Sequence, residues 1–324
     1  MKLLVTYMML GMVLLALILL SLSIGTLPIS VSKIMHFMHH KDTTIESILL
    51  DTIRIPRTGC AIIVGAALAL TGVILFYISR NELGCPSLLG INQGVFVGVI
   101  ASVVLTQSMI MQNLFLSGIL AGTSAGLVTF LISFKLGFSP LKLILIGQAI
   151  NLFCYALCQL LLMLAPQYAD SLLVSLNGSL ANSNWALLET FGSVLFLTSV
   201  LAIVFMKQGY LLSLGTDVAK NIGVHVNRIL FFFLGIILIL STGSVLIVGP
   251  LIFFPLLALH CSKLFISSNK PHHFALVTAC VGSILLLASD LFMRVLYPDW
   301  EAPLNLFIAI LGVPLLIVRA RSVH

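Results

Sequence analysis

The chain has 324 residues, of which 16 are Lys or Arg and 10 are Asp or Glu. That makes 8% charged residues, against about a quarter in a typical soluble domain. With 60% apolar residues and a mean hydropathy of +1.19, too little polar surface exists for a soluble enzyme. The isoelectric point near 9.1 comes without a basic stripe, which also excludes a nucleic-acid binder.

A helix needs about 20 apolar residues to cross a hydrocarbon core of about 30 Å. Ten stretches qualify, roughly Leu3–Ser23, Thr58–Ser79, Ile91–Val104, Ile110–Phe134, Leu141–Leu164, Thr190–Met206, Ile229–Val248, Leu251–Phe265, Phe274–Leu296 and Leu304–Val318. The third and eighth are short, which fits a tilted, broken or re-entrant segment. All must be helices, because lipid offers no partner to open backbone groups and continuous apolar runs do not alternate as barrel strands do. The first run follows Lys2 and reads as an uncleaved helix, its apolar core being longer than a leader's. The expected architecture is one all-α membrane domain over residues 1–324. Ser30–Asp51 forms an amphipathic segment on one side and Gln208–Arg228 the longest polar segment on the other.

Ten spans put both termini on one side. That side holds eleven Lys and Arg and only Glu82 and Asp217, and the other holds five Lys and Arg and eight acids. The positive-inside rule then places both termini in the cytoplasm. In the Gln208–Arg228 segment, Thr216 is suited to N-cap a short helix and Gly223 to close it. Such a helix on the inner face suits docking to a soluble partner.

The chain lacks a phosphate-binding G-x-x-x-x-G-K-S/T loop, so it has no nucleotide site of that type. Its ionisable residues sit near predicted helix ends, among them Lys142, Glu189, Asp290 and Arg294. Ion-coupled transporters usually carry such groups within the bundle. An ion-coupled secondary transporter is thus the alternative to a permease driven by a partner, and sodium sites built from backbone carbonyls keep it open. The six cysteines, Cys60, Cys85, Cys154, Cys158, Cys261 and Cys280, read as small apolar fillers. His36, His39, His40 and Asp42 have metal-like spacing, but Met35 and Met38 beside them suggest a surface helix. Gly94 and Gly98, and Gly118, Gly122 and Gly126, fall at four-residue steps that let helices approach closely.

Arg54 and Arg57 flank Ile55-Pro56 at the outer start of the second span. Arg294 lies one turn beyond Asp290 near the outer end of the ninth. Cations are disfavoured on that side, so these arginines need a reason: lipid phosphates or an acidic external partner.

From Arg54-Ile55-Pro56-Arg57 onward the sequence resembles the FecCD-type permeases, membrane subunits of ABC importers for iron-siderophore complexes, haem and cobalamin. The family pattern R-L/I-P-R is followed here by Gly65-Ala66-Ala67-Leu68-Ala69-Leu70-Thr71-Gly72 and by Asn81-Glu82-Leu83-Gly84-Cys85-Pro86-Ser87-Leu88-Leu89-Gly90. Asn177-Gly178-Ser179-Leu180 with Trp185, Leu214-Gly215 through Ala219 with Gly223-Val224, Asp290 with Arg294, and Gly312-Val313-Pro314 continue the similarity. The resemblance implies a bacterial cell-membrane permease working by alternating access on an iron-siderophore-like complex. It implies two ATPase subunits touching Leu214, Gly215, Ala219, Gly223 and Val224. It implies a substrate-binding protein meeting Arg54, Arg57 and Arg294, a second permease subunit, and no enzyme activity or cofactor in this chain. The sequence departs from the family at Glu82, a usual proline, and within Gly249–Lys263. There Ile252 and Pro255 replace glycines and Leu259 replaces a proline, while His260 is kept. The departures suggest a heterodimer with a more typical sister permease.

Overall fold

In the computed structural model, nine of the ten predicted spans lie essentially on helices and the eighth is helical only in part. The structure describes residues 2–25, 27–39, 44–81, 84–169, 172, 178–221, 223, 225–267, 269–297 and 303–321. The helices are α1 (Lys2–Ser23), α2 (Val31–His39), α3 (Ile45–Leu49), α4 (Ile55–Ser79), α5 (Ile91–Thr106), α6 (Met111–Lys135) and α7 (Pro140–Leu164). They continue with α8 (Ser193–Ser213), α9 (Thr216–Asn221), α10 (Val226–Val248), α11 (Phe254–Ser262), α12 (Pro271–Leu296) and α13 (Leu304–Arg321). Among the described residues, seven helical rods are long and apolar enough to cross a membrane, and α5 is a shorter apolar helix of 16 residues.

The bundle is organised around α4. A helix that is apolar on all sides belongs inside its fold, and every residue from Ala67 to Leu75 is buried. Around it pack α8, α10, α11 and α12, while α5, α6 and α7 form a neighbouring group. Large apolar side chains of α1, α6, α7 and α8 point outward, including Met12, Leu116, Leu152 and Leu197. Water would penalise such a surface; lipid tails do not.

Small residues set the closest crossings. A Cβ on Gly65 would lie 2.6 Å from the carbonyl oxygen of Gly282, so α4 and α12 touch backbone to backbone. The hydroxyl of Ser283 donates to the Ile62 carbonyl at 2.8 Å across the same crossing. In the neighbouring group, a Cβ on Gly94 would sit 2.6 Å from Ala125 Cβ, and one on Gly98 would collide with the Ser117 carbonyl. Gly94 and Gly122 thus bring α5 and α6 together within this subunit, while Gly118 and Gly126 make room for Leu246 and Leu238 of α10.

The eighth predicted span is not a continuous helix. After α10 the chain runs irregularly through residues 249–253 and then forms the nine-residue α11, about 14 Å long at 1.5 Å per residue. Irregular backbone at membrane depth must find partners inside the protein. Asn305 supplies two: its Nδ2 donates to the Pro250 carbonyl at 2.8 Å, and its Oδ1 accepts from the Ile252 amide at 3.0 Å. Two of the departures from the family pattern, Ile252 and Pro255, sit at this break. Pro255 occupies the first turn of α11, where its missing N–H goes unused.

The Gly65–Gly282 contact yields a direct expectation. Gly65→Val should destabilise the bundle by about 1–3 kcal/mol, the usual penalty of overpacking, seen as an earlier thermal unfolding transition in detergent. An unchanged transition would show that α4 and α12 can separate without loss.

Candidate functional site

The three arginines singled out in the sequence converge at one end of the bundle. The Thr44 hydroxyl caps α3 by accepting from the Ser47 amide at 3.3 Å. A wide π-helical turn, Leu50–Arg54, then joins α3 to α4 without a break. Arg54, at the end of this turn, faces the last turn of α1. Its Nη1 donates to the carbonyls of Leu22 at 2.6 Å and Ser23 at 2.9 Å, and its Nη2 to that of Leu27. Helix C-termini leave carbonyls without helical partners and attract cations, so one guanidinium meets both needs. Gly25 leaves room for it, since a Cβ there would lie 2.6 Å from Arg54 Nη2. Arg54 is 5% exposed.

Arg57 and Arg294 share one carboxylate. Arg57 donates from Nε at 3.0 Å and Nη2 at 2.6 Å to Asp290 Oδ1, and Arg294 Nη2 donates to Asp290 Oδ2. Arg294 also donates to the Ser21 carbonyl at 3.1 Å and to its hydroxyl at 2.7 Å. The Ser21 hydroxyl in turn pairs with that of Thr58 at 2.7 Å. Asp290 is fully buried, while the side chains of Arg57 and Arg294 keep 18% and 12% of their surface. Charge-assisted bonds of this kind are stronger than neutral ones, and these join α1, α4 and α12. Nearby, the indole N–H of Trp185 donates to the Asp51 carbonyl at 2.6 Å, bringing the Gly178–Trp185 loop to the same end. Asn177 of that motif lies outside the described residues.

The second group of residues lies at the opposite end. There α8 finishes at Ser213 and the short α9 follows. The helix starts at Thr216 itself, one residue earlier than an N-cap role for Thr216 requires. Gly215 and Gly223 both have positive φ, 121° and 85°, and so frame α9 as turns that favour glycine. Ala219 is fully buried, and its amide donates to the Gly215 carbonyl at 2.8 Å. Leu214 and Val218 are 45% and 46% exposed. An anchored short helix thus presents apolar side chains outward. Val224, the last residue expected in this group, lies outside the described residues.

Other sequence features are structural. Cys60, Cys85, Cys154 and Cys158 are buried, and burial pushes the Cys85 thiol up. His36 and His39 lie on α2, whose Ile34 and Phe37 turn inward while Met35 turns out. His40 and Asp42 lie outside the described residues. Among the described residues, no three His, Cys, Asp or Glu side chains gather to hold a metal ion.

The sequence pairs Asp290 with Arg294 by their i, i+4 spacing. It gives no sign that Arg57, 233 positions away, binds the same carboxylate, nor that Arg54 caps α1. A membrane bundle built around one buried rod, with a cationic corner at one end and an anchored short helix at the other, has the form of a transport permease. Comparison with known proteins makes the class specific. The profile of the FecCD transport family matches residues 13–322. The Fe(3+)-citrate import system permease protein YfmD of Bacillus subtilis is 31% identical, over 94% of this chain and 90% of its own. YfmE, a permease protein also named for Fe(3+)-citrate import in B. subtilis, is 27% identical over 96% and 93%. A solved structure described as an inward-facing metal-chelate type ABC transporter superimposes with a TM-score of 0.86 at 30% identity, covering 97% of both chains. The chain belongs to the FecCD transport family. It is the membrane-spanning permease subunit of an ABC importer, and ATP is hydrolysed by separate subunits.

Removing the shared carboxylate tests the cluster. Breaking a buried ion pair costs about 3–5 kcal/mol, and the exposed edges of both arginines place Asp290→Ala near about 3 kcal/mol, the lower end of that range. The expected readout is reduced folded yield and a lower melting temperature in detergent. A variant as stable as the parent would show that the three helices do not depend on this contact.

Proposed function

We propose that this permease carries an iron-chelate complex across the bacterial cytoplasmic membrane, with both termini in the cytoplasm. The observation that carries the reading is the division of the molecule into two differently built ends, the arginine corner outside and the α9 corner inside. The eleven-to-five distribution of Lys and Arg supports this orientation, and the iron-citrate permeases among the relatives support the cargo. The whole chain acts as one transmembrane domain, with 30–51 and 208–228 as its outer and inner surface segments.

Outside, the docking arginines Arg54, Arg57 and Arg294 form one cationic corner, and Arg57 and Arg294 provide the charge that meets acidic side chains of a substrate-binding protein. Arg57 and Arg294 offer exposed edges, and Arg54 acts by fixing the backbone beside them. Such contacts orient docking more than they hold it. Inside, Leu214, Gly215, Ala219, Gly223 and Val224 form the segment against which an ATPase subunit seats. Two ATPase subunits and a second permease complete the transporter. The altered glycine and proline positions between Gly249 and Lys263 favour a sister permease of different sequence. That related permeases occur under two names for Fe(3+)-citrate import in one organism agrees with such pairing.

Cells that depend on this transporter should accumulate radio-iron supplied as ferric citrate. Uptake should cease when the ATPase partner cannot hydrolyse ATP and should survive a proton ionophore while ATP is held constant; the reverse pattern would exclude the proposal. Arg57→Ala should weaken binding-protein affinity by about two- to fivefold, since exposed ion pairs contribute about 0–1 kcal/mol. Unaltered affinity would reject the docking role. Purification through a tag on this chain should recover a second, different permease, and a complex with two copies of this chain alone would refute the heterodimer.

A further inference from the structure

Arg80 ends α4 in an unfavourable conformation. Its φ and ψ of 53° and 23° are left-handed, a region disfavoured for residues that carry a Cβ. Glycine is the usual residue at such a helix end. Among the described residues only Gln107 and Phe253 share a positive φ without being glycine. Gln107 donates from its side-chain amide to the Val104 carbonyl of its own helix at 2.9 Å and accepts from Gln167 Nε2 at 2.9 Å. Arg80 reaches across to another helix. Its Nε donates to the Leu212 carbonyl at 3.2 Å, in the last turn of α8. Its Nη1 lies 3.9 Å from the place a Cβ would take on Gly215, the residue that turns the chain into α9.

A strained residue at a helix end points to a role for its side chain. Here the side chain adds a polar tie between two parts that also pack through Tyr77 and Tyr210, whose ring centroids lie 5.7 Å apart. One is α4, the buried rod whose far end carries Arg54 and Arg57. The other is the corner that leads into α9. The same end of α4 is touched by the residue that follows α11, the Lys263 ammonium lying 4.4 Å over the Phe76 ring. A rod locked to its neighbours by glycine contacts moves as a unit, so displacement of the α9 corner passes to α4 through whatever joins them.

We infer that Arg80 is a positioning residue that couples the α9 corner to the central helix, so that docking outside and ATP hydrolysis inside respond to each other. The inference rests on the proposed seating of an ATPase subunit on residues 214–224. Arg80 touches neither cargo nor nucleotide; it acts through Leu212 and Gly215.

The test uses the complete transporter in lipid nanodiscs, with its ATPase subunits and binding protein. Arg80→Gly suits it because glycine relieves the left-handed strain, so the variant should melt no earlier than the parent. ATPase activity without binding protein, and binding-protein affinity, should stay near parental values. Stimulation of the ATPase by the binding protein should fall at least about fivefold, the low end of measured coupling between sites. Arg80→Lys, which can reach one carbonyl but lacks the second arm, should restore part of the stimulation. Full stimulation in Arg80→Gly beside a responsive parent would overturn the assignment of Arg80 alone. Loss of unstimulated activity or of assembly in Arg80→Gly would also overturn it, since the residue would then serve assembly rather than coupling. A parent whose ATPase ignores the binding protein would overturn the seating of the ATPase as well.

Discussion

Asp290 is a fully buried carboxylate at the end of a membrane helix, and such a group persists only when fully neutralised. Arg57 and Arg294 meet that requirement from different helices, Arg57 reaching both carboxylate oxygens and Arg294 donating to Oδ2. Because Arg294 also holds Ser21, and Ser21 holds Thr58, satisfying one charge fixes three helix ends at once. Arg54 adds a second grip on α1 through carbonyls that helix geometry leaves open. The charges at this end are therefore structural before they are functional. An external partner meets arginines whose positions are already set.

The rest of the bundle follows a different rule. Between α4 and α12, and between α5 and α6, contact is made through glycine and hydroxyl residues, since lipid provides no hydrophobic pressure to force larger side chains together. Where the chain leaves helical form, at residues 249–253, one asparagine side chain satisfies both an open carbonyl and an open amide. This answers how the family's glycine-rich stretch can carry Ile252 and Pro255. Ile252 is half exposed, so its side chain projects outward rather than into the bundle. Pro255 instead brings its carbonyl against Gly72, so the glycine demanded by the contact sits on the partner helix.

Much of the architecture was legible in the sequence because membrane helices are defined by continuous apolar runs, which need no long-range information. Each of the ten runs overlaps a helix; of the two short runs, the eighth is broken, whereas the third is one continuous helix of 16 residues. Ends were less legible: α8 is joined to a helical turn at Trp185 through a π segment, and the α3–α4 rod begins at Ile45, ten residues before α4 itself, because π turns continue a helix through polar residues that hydropathy marks as its limit. Arg54, Arg57 and Arg294 stood out as cations on the disfavoured side. Their partners did not, since Leu22 and Leu27 contribute only carbonyls, which every residue has, and Asp290 is close to Arg57 only after folding. Arg80 gave no signal at all; its left-handed backbone and its bond to Leu212 exist only in three dimensions.

The placement of α1 has a consequence for synthesis. It is the least buried of the long helices, and its polar ties are made partly with Arg54 and Thr58 of the next span and partly with residues far along the chain. Arg294, the partner of Ser21, lies 273 positions later. At about 5–20 residues per second, the ribosome needs roughly 14–55 s to reach it, by the same rate. For that interval the end of α1 is held by Arg54 and Thr58 of the next span. Its packing against α12 waits for the ninth span, so the place of α1 is completed late.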